Sequence, residues 1–368
     1  MTFFSSEQQV DAPSFFKVAE YKRKNYSRRV ISVTLLSALG FQPRKREEMI
    51  APTSISCIDI SIVLPVKNNQ KGITLFLSEF LKTHSPAFYP REIIIVDNAF
   101  QPPIIIPKAL AERGLSITIL HCDAPGPACA RNVGIQHAQS EWILFRDSDC
   151  VPSPTFLSGY IVAMNGSVGY AGQVKAWGKD RLSQYYESQY ILIPPTLDED
   201  WITRPEYIIT ANALVWQTAL RAIGGFNEII TIAAGEDIDL GFRLREVGSL
   251  SYAPIACVYH NFNDGLLGFI RRFVRYGKGN KIISQLYTLD LTPRKFQAKH
   301  SSVCDWILSE YNTRALLGDI ETWRVMPRKR SEYGRRIHPT DCRTSCISSA
   351  VPALSSSCAF SRQYSKVC

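Results

Sequence analysis

Two aspartates one residue apart, Asp147 and Asp149, follow the apolar run Trp142-Ile143-Leu144-Phe145. In an extended strand, residues i and i+2 point to the same side, so both carboxylates could reach one cation. Mg²⁺ and Mn²⁺ prefer oxygen ligands and commonly combine a few protein carboxylates with substrate phosphates. The pair therefore indicates a metal site for a nucleotide diphosphate; the alternative is a pair that only caps a helix or solvates a turn. An EF-hand calcium loop is excluded, because Pro152 occupies the sixth loop position, where glycine is required.

A second acidic cluster, Gly235-Glu236-Asp237-Ile238-Asp239, opens a stretch with helical spacing. Leu240, Leu244 and Val247 recur in it at intervals that would place them on an inward face. Acids at a helix start commonly act as caps or as partners of the helix dipole, each worth about 0.3–1 kcal/mol. One acid satisfies that need, and three within four residues exceed it. The cluster is therefore a second candidate for chemistry.

The composition is that of an ordinary globular protein, with 45% apolar and 20% charged residues in 368. The net charge of +9 favours anionic partners such as nucleotide phosphates. Nucleic acid is not expected as a partner, because the sequence has neither a helix-turn-helix pattern nor interleaved aromatics. No stretch reaches the roughly 18 apolar residues of a membrane-spanning helix. The ten cysteines include no C-x-x-C pair, which favours reduced thiols and a cytoplasmic location.

The elements that would position these acids alternate between apolar strands and amphipathic helices. Near-continuous apolar strands between helices are typical of a parallel sheet covered on both faces, where ligands bind beyond the carboxyl ends of the strands. Pro65-Val66-Lys67-Asn68, Asp97 and Asp147-Ser148-Asp149 each follow or end such a strand, so we expect them at one crevice. The predicted strands are 58–66, 92–96, 115–120 and 142–145, and the predicted helices are 73–81 and 127–138.

Beyond Cys150 the alternation loosens, and the predicted elements are helices over 154–164, 180–190 and 219–223 and strands over 169–174 and 256–259. A basic amphipathic helix is predicted over 263–288; we expect it to pack on the sheet, and the alternative is an anionic membrane surface. The predicted domain over 58–288 comprises a nucleotide-binding half (58–150), an acceptor half (151–262) and this helix. Residues 1–57 are predicted to be an arm of low order or an adaptor, and residues 289–368 a tail of low order.

Six segments, in order and at fitting spacing, resemble the family 2 glycosyltransferases of GT-A fold. They are Ile62-Val63-Leu64-Pro65-Val66-Lys67-Asn68, Ile94-Ile95-Val96-Asp97-Asn98, Gly126-Pro127-Ala128-Cys129-Ala130-Arg131-Asn132-Val133-Gly134, Asp147-Ser148-Asp149, Gly224-Gly225-Phe226-Asn227-Glu228 and Gly235-Glu236-Asp237-Ile238-Asp239-Leu240-Gly241-Phe242-Arg243-Leu244. The resemblance implies an α/β fold with a Rossmann-like, mostly parallel central sheet, helices on both faces and an acceptor-side subdomain. It also implies an inverting transferase that moves a sugar from a nucleotide-diphosphate donor, most simply a UDP-sugar, to an acceptor hydroxyl in cell-surface polysaccharide or glycolipid synthesis.

The resemblance also assigns roles to individual residues. The nucleotide-sugar would be held by Pro65, Val66, Asn68, Asp97, Arg131, Asn132, Asp147 and Ser148. Mg²⁺ or Mn²⁺ would be held by Asp147, Asp149 and His260, and the alternative for His260 is a hydrogen-bonded core histidine. Asp237 would be the general base, with Glu236 beside it on the acceptor side and Asn212 as an acceptor contact.

The sequence departs from the family pattern at several places. Asn98 stands where many members carry a second aspartate, and Lys67 where an aromatic residue is common. No Q-x-x-R-W follows the acidic cluster, so a single addition to a saccharide or lipid-linked acceptor is expected rather than processive synthesis. The alternatives are an inactive nucleotide-sugar-binding scaffold and a nucleotidyltransferase, whose Gly-rich triphosphate loop would follow the first strand, where only Gly72 occurs. Peripheral contact with the inner face of the membrane is the alternative to a purely cytoplasmic location.

Overall fold

The computed structural model describes residues 48–98, 101–188, 191–194, 204–262, 265–289 and 291. Most of the predicted N-terminal arm and nearly all of the predicted C-terminal tail lie outside these residues. The statements below concern the described part of the chain.

Eight strands of the described chain form one sheet in the order β3-β2-β1-β4-β7-β6-β8-β5. Neighbouring strands are antiparallel at β4–β7, β7–β6 and β8–β5, and parallel elsewhere. All strands except β5 and β7 therefore run in one direction, and their carboxyl ends lie along one edge, as the sequence predicted. The strands are β1 (Ile60–Val66), β2 (Glu92–Asp97), β3 (Ile117–His121), β4 (Trp142–Arg146), β5 (Cys150–Pro152), β6 (Gly169–Ala176), β7 (Asn212–Trp216) and β8 (Leu250–His260).

Helices cover both faces of this sheet. They are α1 (Gln70–Thr83), α2 (Lys108–Ala111), α3 (Pro127–His137), α4 (Ser158–Ala163), α5 (Arg181–Ser188), α6 (Gln217–Ile223), α7 (Glu236–Leu244) and α8 (Gly265–Tyr287). Side chains alternate across each strand, so Ile62 packs in one core with α1, α4, α5 and α8, whereas Val63 packs in the other with α3, α6 and α7. The predicted α/β class and its two-sided layering are confirmed.

The strand β8 is longer than the sequence predicted, beginning at Leu250 rather than at Ala256. Its pairing with β6 shifts register between Gly172 and Gln173, and residues 254–256 bulge out of the ladder. Pro254 lies in this bulge, where its missing N–H costs the sheet nothing. A proline inside the run is what hid the first half of the strand from the sequence pattern.

The predicted arm boundary at residue 57 is wrong for residues 48–57. The Met49 amide donates to the Val247 carbonyl at 2.7 Å, and the Ala51 amide donates to the Gly166 carbonyl at 2.9 Å. Ala51 and Cys57 are buried. This segment therefore packs on the domain instead of belonging to a separate arm.

The basic helix α8 packs against the domain, as expected. Phe269 and Phe273 are buried in the core, and Arg272, between them in the helix, is buried as well. Its Nη1 donates to the Tyr186 hydroxyl at 2.6 Å, and its guanidinium lies 4.8 Å from the centre of the Phe262 ring. Within the described residues, no helix is both long and apolar enough to cross a bilayer.

Candidate active site

Asp147-Ser148-Asp149 forms a turn between β4 and β5 at the carboxyl edge of the sheet. The Cys150 amide donates to the Asp147 carbonyl at 3.2 Å, which closes the turn. We expected Asp147 and Asp149 to point to one side because we took them to lie in an extended strand. They lie in a turn, so that argument does not apply. In the structure the two carboxylates have different partners.

Asp147 is joined to the second acidic cluster by Arg131 of α3. Arg131 is 2% exposed; its Nη2 donates to Asp147 Oδ1 at 2.8 Å and its Nη1 to Glu236 Oε1 at 3.0 Å. The guanidinium also lies 5.4 Å from the centre of the Phe226 ring. Burial disfavours its charge, but Asp147 and Glu236 outweigh burial and raise the pKa of Arg131. Acids that are far apart in sequence thus converge on one buried cation.

Glu236 and Asp237 begin α7, directly after Gly235 in the left-handed conformation (φ +90°). Burial raises the pKa of Glu236, and the charge of Arg131 offsets this only in part. Asp237 is half-buried, and burial together with the neighbouring Glu236 raises its pKa to about 7. Asp237 can therefore exchange a proton near neutral pH, which is the property that a general acid or base requires.

Asp239, the third acid of the cluster, has a structural role. Its Oδ2 accepts from Arg243 Nε at 2.8 Å and from Nη2 at 2.6 Å, and its Oδ1 accepts from the Tyr287 hydroxyl at 2.7 Å. Arg243 in turn donates to the carbonyls of Ile223 and Gly225. Asp239 therefore ties α7 to α8 and to the end of α6, and it leaves Glu236 and Asp237 as the candidates for chemistry.

Asp149 lies beside His260 at the end of β8, with 3.4 Å between Asp149 Oδ1 and His260 Nε2. One ligand atom from each of these residues and from Cys150 falls within 4.8 Å of the others. Asp149 Oδ1 is buried and accepts no hydrogen bond from the described residues, so this donor set fits a cation. The predicted metal set is thus divided: Asp149 and His260 meet, whereas Asp147 Oδ1 is paired with Arg131. Burial raises the pKa of the Cys150 thiol, and Mg²⁺ and Mn²⁺ do not prefer such a ligand.

His260 is not the hydrogen-bonded core histidine of the alternative, because its buried Nδ1 has no hydrogen-bond partner among the described residues. The residue is 8% exposed, and its ring stacks on Phe262 with 4.1 Å between ring centres. Its Nε2 faces Asp149 Oδ1, which itself accepts no hydrogen bond from the described residues.

At the nucleotide end, β1 and β2 place Pro65, Asn68 and Asp97 along the same edge. Asn68 is exposed with a positive φ of 53°, a conformation that asparagine tolerates. Asp97 is buried, with its Oδ2 3.8 Å from His121 Nδ1. Val66 is a correction: its side chain is 1% exposed and its carbonyl accepts from the Asn98 amide, so it belongs to the framework.

The asparagine at position 98, unusual for the family pattern, holds the loop after β3. Its Nδ2 donates to the carbonyls of Cys122 at 3.1 Å and Ala124 at 2.7 Å, and its Oδ1 accepts from the Gly126 amide at 3.2 Å. An ionised aspartate has no donor for the two carbonyls. Asn98 therefore positions the start of α3, which carries Arg131.

Two other predicted contacts are corrected by the structure. Asn132 Nδ2 donates to the Phe226 carbonyl and to Glu228 Oε1, and its Oδ1 accepts from the Phe226 amide. Asn212 is 0% exposed; its Oδ1 accepts from the Tyr160 hydroxyl and its Nδ2 donates to two carbonyls. Neither amide has a donor left for the donor sugar or the acceptor, because each braces the backbone around the site.

No sequence pattern indicated the residues that support the turn after β4. Asn69 Nδ2 donates to Ser148 Oγ at 3.0 Å, and Asn69 Oδ1 accepts from the Gly72 amide at 3.0 Å, so the cap of α1 also holds the turn. A Cβ on Gly72 would lie 2.1 Å from the Ser148 carbonyl oxygen, which explains the glycine. Arg146 is fully buried above Phe76 and donates to the Cys150 carbonyl.

Comparisons with known proteins place this site in context. The chain is similar to the pre-mycofactocin glycosyltransferase of Mycobacterium tuberculosis, with 27% identity over 256 residues, or 66% of this chain and 50% of the relative. It is also similar to the poly(ribitol-phosphate) beta-N-acetylglucosaminyltransferase TarS of Staphylococcus aureus, with 32% identity over 91 residues, or 24% of this chain and 16% of the relative. The chain spans about half the length of the first of these relatives and less of the second.

Similar solved structures include the mannosyltransferase PcManGT from Pyrobaculum calidifontis in complex with GDP-Man and Mn²⁺, with a TM-score of 0.48, 14% identity and coverage of 81% of each chain. Another is S. aureus TarS 1–349, with a TM-score of 0.44, 16% identity and coverage of 72% of this chain and 73% of that one. The sequence pattern described as Glycosyl transferase family 2 matches residues 61–224, which include β1, β2, α3 and the turn after β4. Residues 61–224 therefore match glycosyl transferase family 2, and they include most of the α/β sheet that the sequence predicted.

Proposed function

We propose that the chain transfers a sugar from a nucleotide-diphosphate donor, in the first instance a UDP-sugar, to the hydroxyl of a saccharide or lipid-linked acceptor. The observation that carries the proposal is the contact of Arg131 with both Asp147 and Glu236. This contact brings the turn after β4 to the start of α7, where Asp237 has a pKa of about 7. A carboxyl group that titrates near the operating pH is suited to general base catalysis.

In the proposed reaction the acceptor oxygen bonds to the anomeric carbon on the face opposite the diphosphate, so the configuration inverts. The bond from that carbon to the diphosphate oxygen breaks, and the diphosphate leaves with the bonding electrons. The acceptor proton passes to Asp237. Glu236 lies on the acceptor side, and Arg131 holds Glu236 and Asp147 in place.

We assign the cation site to Asp149 and His260. Asp147 belongs to the same turn, but one of its carboxylate oxygens is paired with Arg131. The buried Asp149 Oδ1, which lacks a hydrogen-bond partner among the described residues, supports this assignment. Mg²⁺ or Mn²⁺, when bound, would neutralise charge on the departing diphosphate. Pro65, Asn68 and Asp97 would take the nucleoside, since in parallel sheets ligands bind beyond the carboxyl ends of the strands. Ser148 lies between Asp147 and Asp149 in the turn after β4, and we assign it to nucleotide-sugar binding as well.

Asp149→Ala is expected to weaken Mn²⁺-dependent UDP binding by at least about 10–100-fold, the loss that follows removal of even a supporting metal contact. The reason is that the variant removes the one carboxylate of the cation set that is not paired with an arginine. Calorimetric titration of UDP with and without Mn²⁺ measures the effect.

The matched control is Cys150→Ala, which removes the third candidate ligand. A thiol is a soft ligand that Mg²⁺ and Mn²⁺ do not prefer, so this variant should bind UDP and Mn²⁺ as the unmodified protein does. Normal binding by Asp149→Ala, or a loss confined to Cys150→Ala, would move the cation to a different site.

The function itself is tested by a screen of nucleotide-sugars for metal-dependent hydrolysis. In the absence of acceptor, water takes the place of the acceptor hydroxyl, so the correct donor should be cleaved slowly to free sugar and nucleoside diphosphate. Chelation by EDTA should stop the reaction, and Mn²⁺ or Mg²⁺ should restore it. If the protein binds UDP with Mn²⁺ but cleaves no nucleotide-sugar, the chain is a binding scaffold and the proposed transfer is wrong.

A further inference from the structure

An aromatic pair lies near the ends of β6 and β8: Trp177 directly follows β6 and is exposed, and the half-buried Tyr259 is the next-to-last residue of β8. Trp177 is 42% exposed, and its ring meets that of Tyr259 edge-on, with 5.8 Å between ring centres and 78° between planes. The two rings line an open cleft of about 300 Å³ together with Ala176, Gly178 and Lys179. Tryptophan and tyrosine combine a large apolar face with a polar tip, and both are enriched where proteins bind partners.

The cleft adjoins the candidate cation site through the backbone. The Trp177 amide donates to the His260 carbonyl at 2.7 Å, so the indole begins one residue beyond the paired ends of β6 and β8. His260 is also paired with Cys150, the residue after Asp149. The aromatic pair and the turn after β4 therefore occupy the same carboxyl edge of the sheet.

The position separates this cleft from the nucleoside. The residues assigned to the nucleoside follow β1 and β2, whereas Trp177 follows β6, three strand positions from β1 in the sheet. Two strands, β4 and β7, therefore lie between β1 and β6 in the sheet. Tyr259 follows Val258, which packs in the core with α1, so the Tyr259 side chain points to the other face of the sheet, which α7 covers. The proposed base Asp237 begins α7, so the substrate that would meet the donor on this face is the acceptor.

The chemistry of the cleft fits a sugar ring. A pyranose has faces of C–H groups, which pack on an aromatic plane, and a rim of hydroxyls, which need polar partners. Trp177 and Tyr259 offer apolar surface, and the exposed Lys179 offers a donor at the rim. The volume is at the small end of the about 300–1,000 Å³ of ligand pockets, which suits a single ring rather than a whole nucleotide-sugar.

We propose that Trp177 and Tyr259 form a platform that binds a pyranose ring of a saccharide acceptor at the same carboxyl edge of the sheet as the Asp149–His260 pair. This inference rests on the proposed transferase function for its place in catalysis. It adds the chemical class of the acceptor and a residue, Trp177, that selects it. Binding of a sugar to the platform itself requires no turnover.

The first test is direct binding, measured as magnetisation transfer from the protein to methyl glucoside, methyl galactoside and methyl N-acetylglucosaminide by NMR. Transfer to the ring protons of at least one glycoside is expected with the unmodified protein. It should be lost in Trp177→Ala and kept in part in Trp177→Phe, which preserves an aromatic face. The control is Phe88→Ala, which removes an aromatic that is 52% exposed and lies before β2, at the other edge of the sheet.

The second test uses the donor found by the screen and a saccharide acceptor. Trp177→Ala should raise the KM for the acceptor about tenfold, the loss expected on truncating a buried aromatic contact, with UDP affinity in the presence of Mn²⁺ unchanged. Equal glycoside binding by Trp177→Ala and the unmodified protein would overturn the platform, as would a change confined to the donor KM. Glycoside binding that depends on Trp177 in a protein that cleaves no donor would support the platform and reject the transferase.

Discussion

Asp237→Asn is expected to lower the rate of sugar transfer by about 10²–10⁴-fold, the range that a positioned general base contributes. The amide cannot accept the acceptor proton, whereas the contacts of Arg131 with Asp147 and Glu236 do not involve residue 237. UDP binding in the presence of Mn²⁺ should therefore persist. The measurement is kcat for transfer beside calorimetry of UDP binding, and Glu112→Gln, at an exposed acid distant from the site, is the control.

The same variant separates a base from a merely structural acid through its pH dependence. In the unmodified protein, kcat/KM for the donor should rise with pH through about 7, because Asp237 must lose its proton to act. This acid limb should be absent from the residual activity of Asp237→Asn. Transfer at the full rate by the variant would show that a different group takes the proton.

The stability of the folded chain should fall as the pH rises, whereas the activity should rise. The pKa of Asp237 is raised to about 7 in the folded chain, from about 3.9 in an unfolded one, so folding favours the protonated form. Its contribution to stability is fully present below the unfolded value and is lost as the pH rises through about 7. Asp237→Asn cannot ionise, so its gain in melting temperature over the unmodified protein should be larger at pH 8 than at pH 5.

Arg131→Ala is expected to destabilise the folded chain by about 3–5 kcal/mol, the cost of leaving a buried charge without its partner. Glu236 would keep its burial and lose its counter-charge, and Asp147 would lose its nearest cation. Unfolding by urea measures the change. The loss should be smaller at pH 5 than at pH 8, because a protonated Glu236 needs no counter-charge.

Two further variants distinguish charge from packing at this position. Combining Arg131→Ala with Glu236→Gln removes the orphaned buried carboxylate and should restore part of the lost stability. Arg271→Ala, at an exposed position of α8, should change stability by no more than about 0.5 kcal/mol. If Arg131→Ala were as harmless as Arg271→Ala, the buried network would not hold the site together.

The sequence predicted those parts of the fold that buried apolar surface dictates. The strands that became β1, β2 and β4 have apolar residues at nearly every position, since helices cover both faces, and this pattern can be read without knowing the partners. The first half of β8 was missed because its bulge at Pro254 depends on pairing with β6. Local pattern cannot report a distortion that is caused by a neighbouring strand.

Asp97 and Asp147 lie along one edge of the sheet because the carboxyl ends of parallel strands meet there. The contact of Asp147 with Glu236 through Arg131 follows from no strand pattern, because Glu236 begins a helix. The individual hydrogen-bond partners were not predicted. Asn132 and Asn212 could as well contact a ligand as brace the backbone, and only their neighbours in space decide between the two. Trp177 belongs to no periodic pattern, so its exposure beside Tyr259 could be recognised only once β6 and β8 were paired.

The strand β5 also bears on how the molecule meets its copies. It is the outermost strand on its side, it runs only from Cys150 to Pro152, and its last residue has no amide hydrogen. Short, proline-ended borders of this kind offer a foreign strand few groups to pair with. All three residues of β5 are also buried, so among the described residues the proline that ruled out a calcium loop ends a border that is already covered.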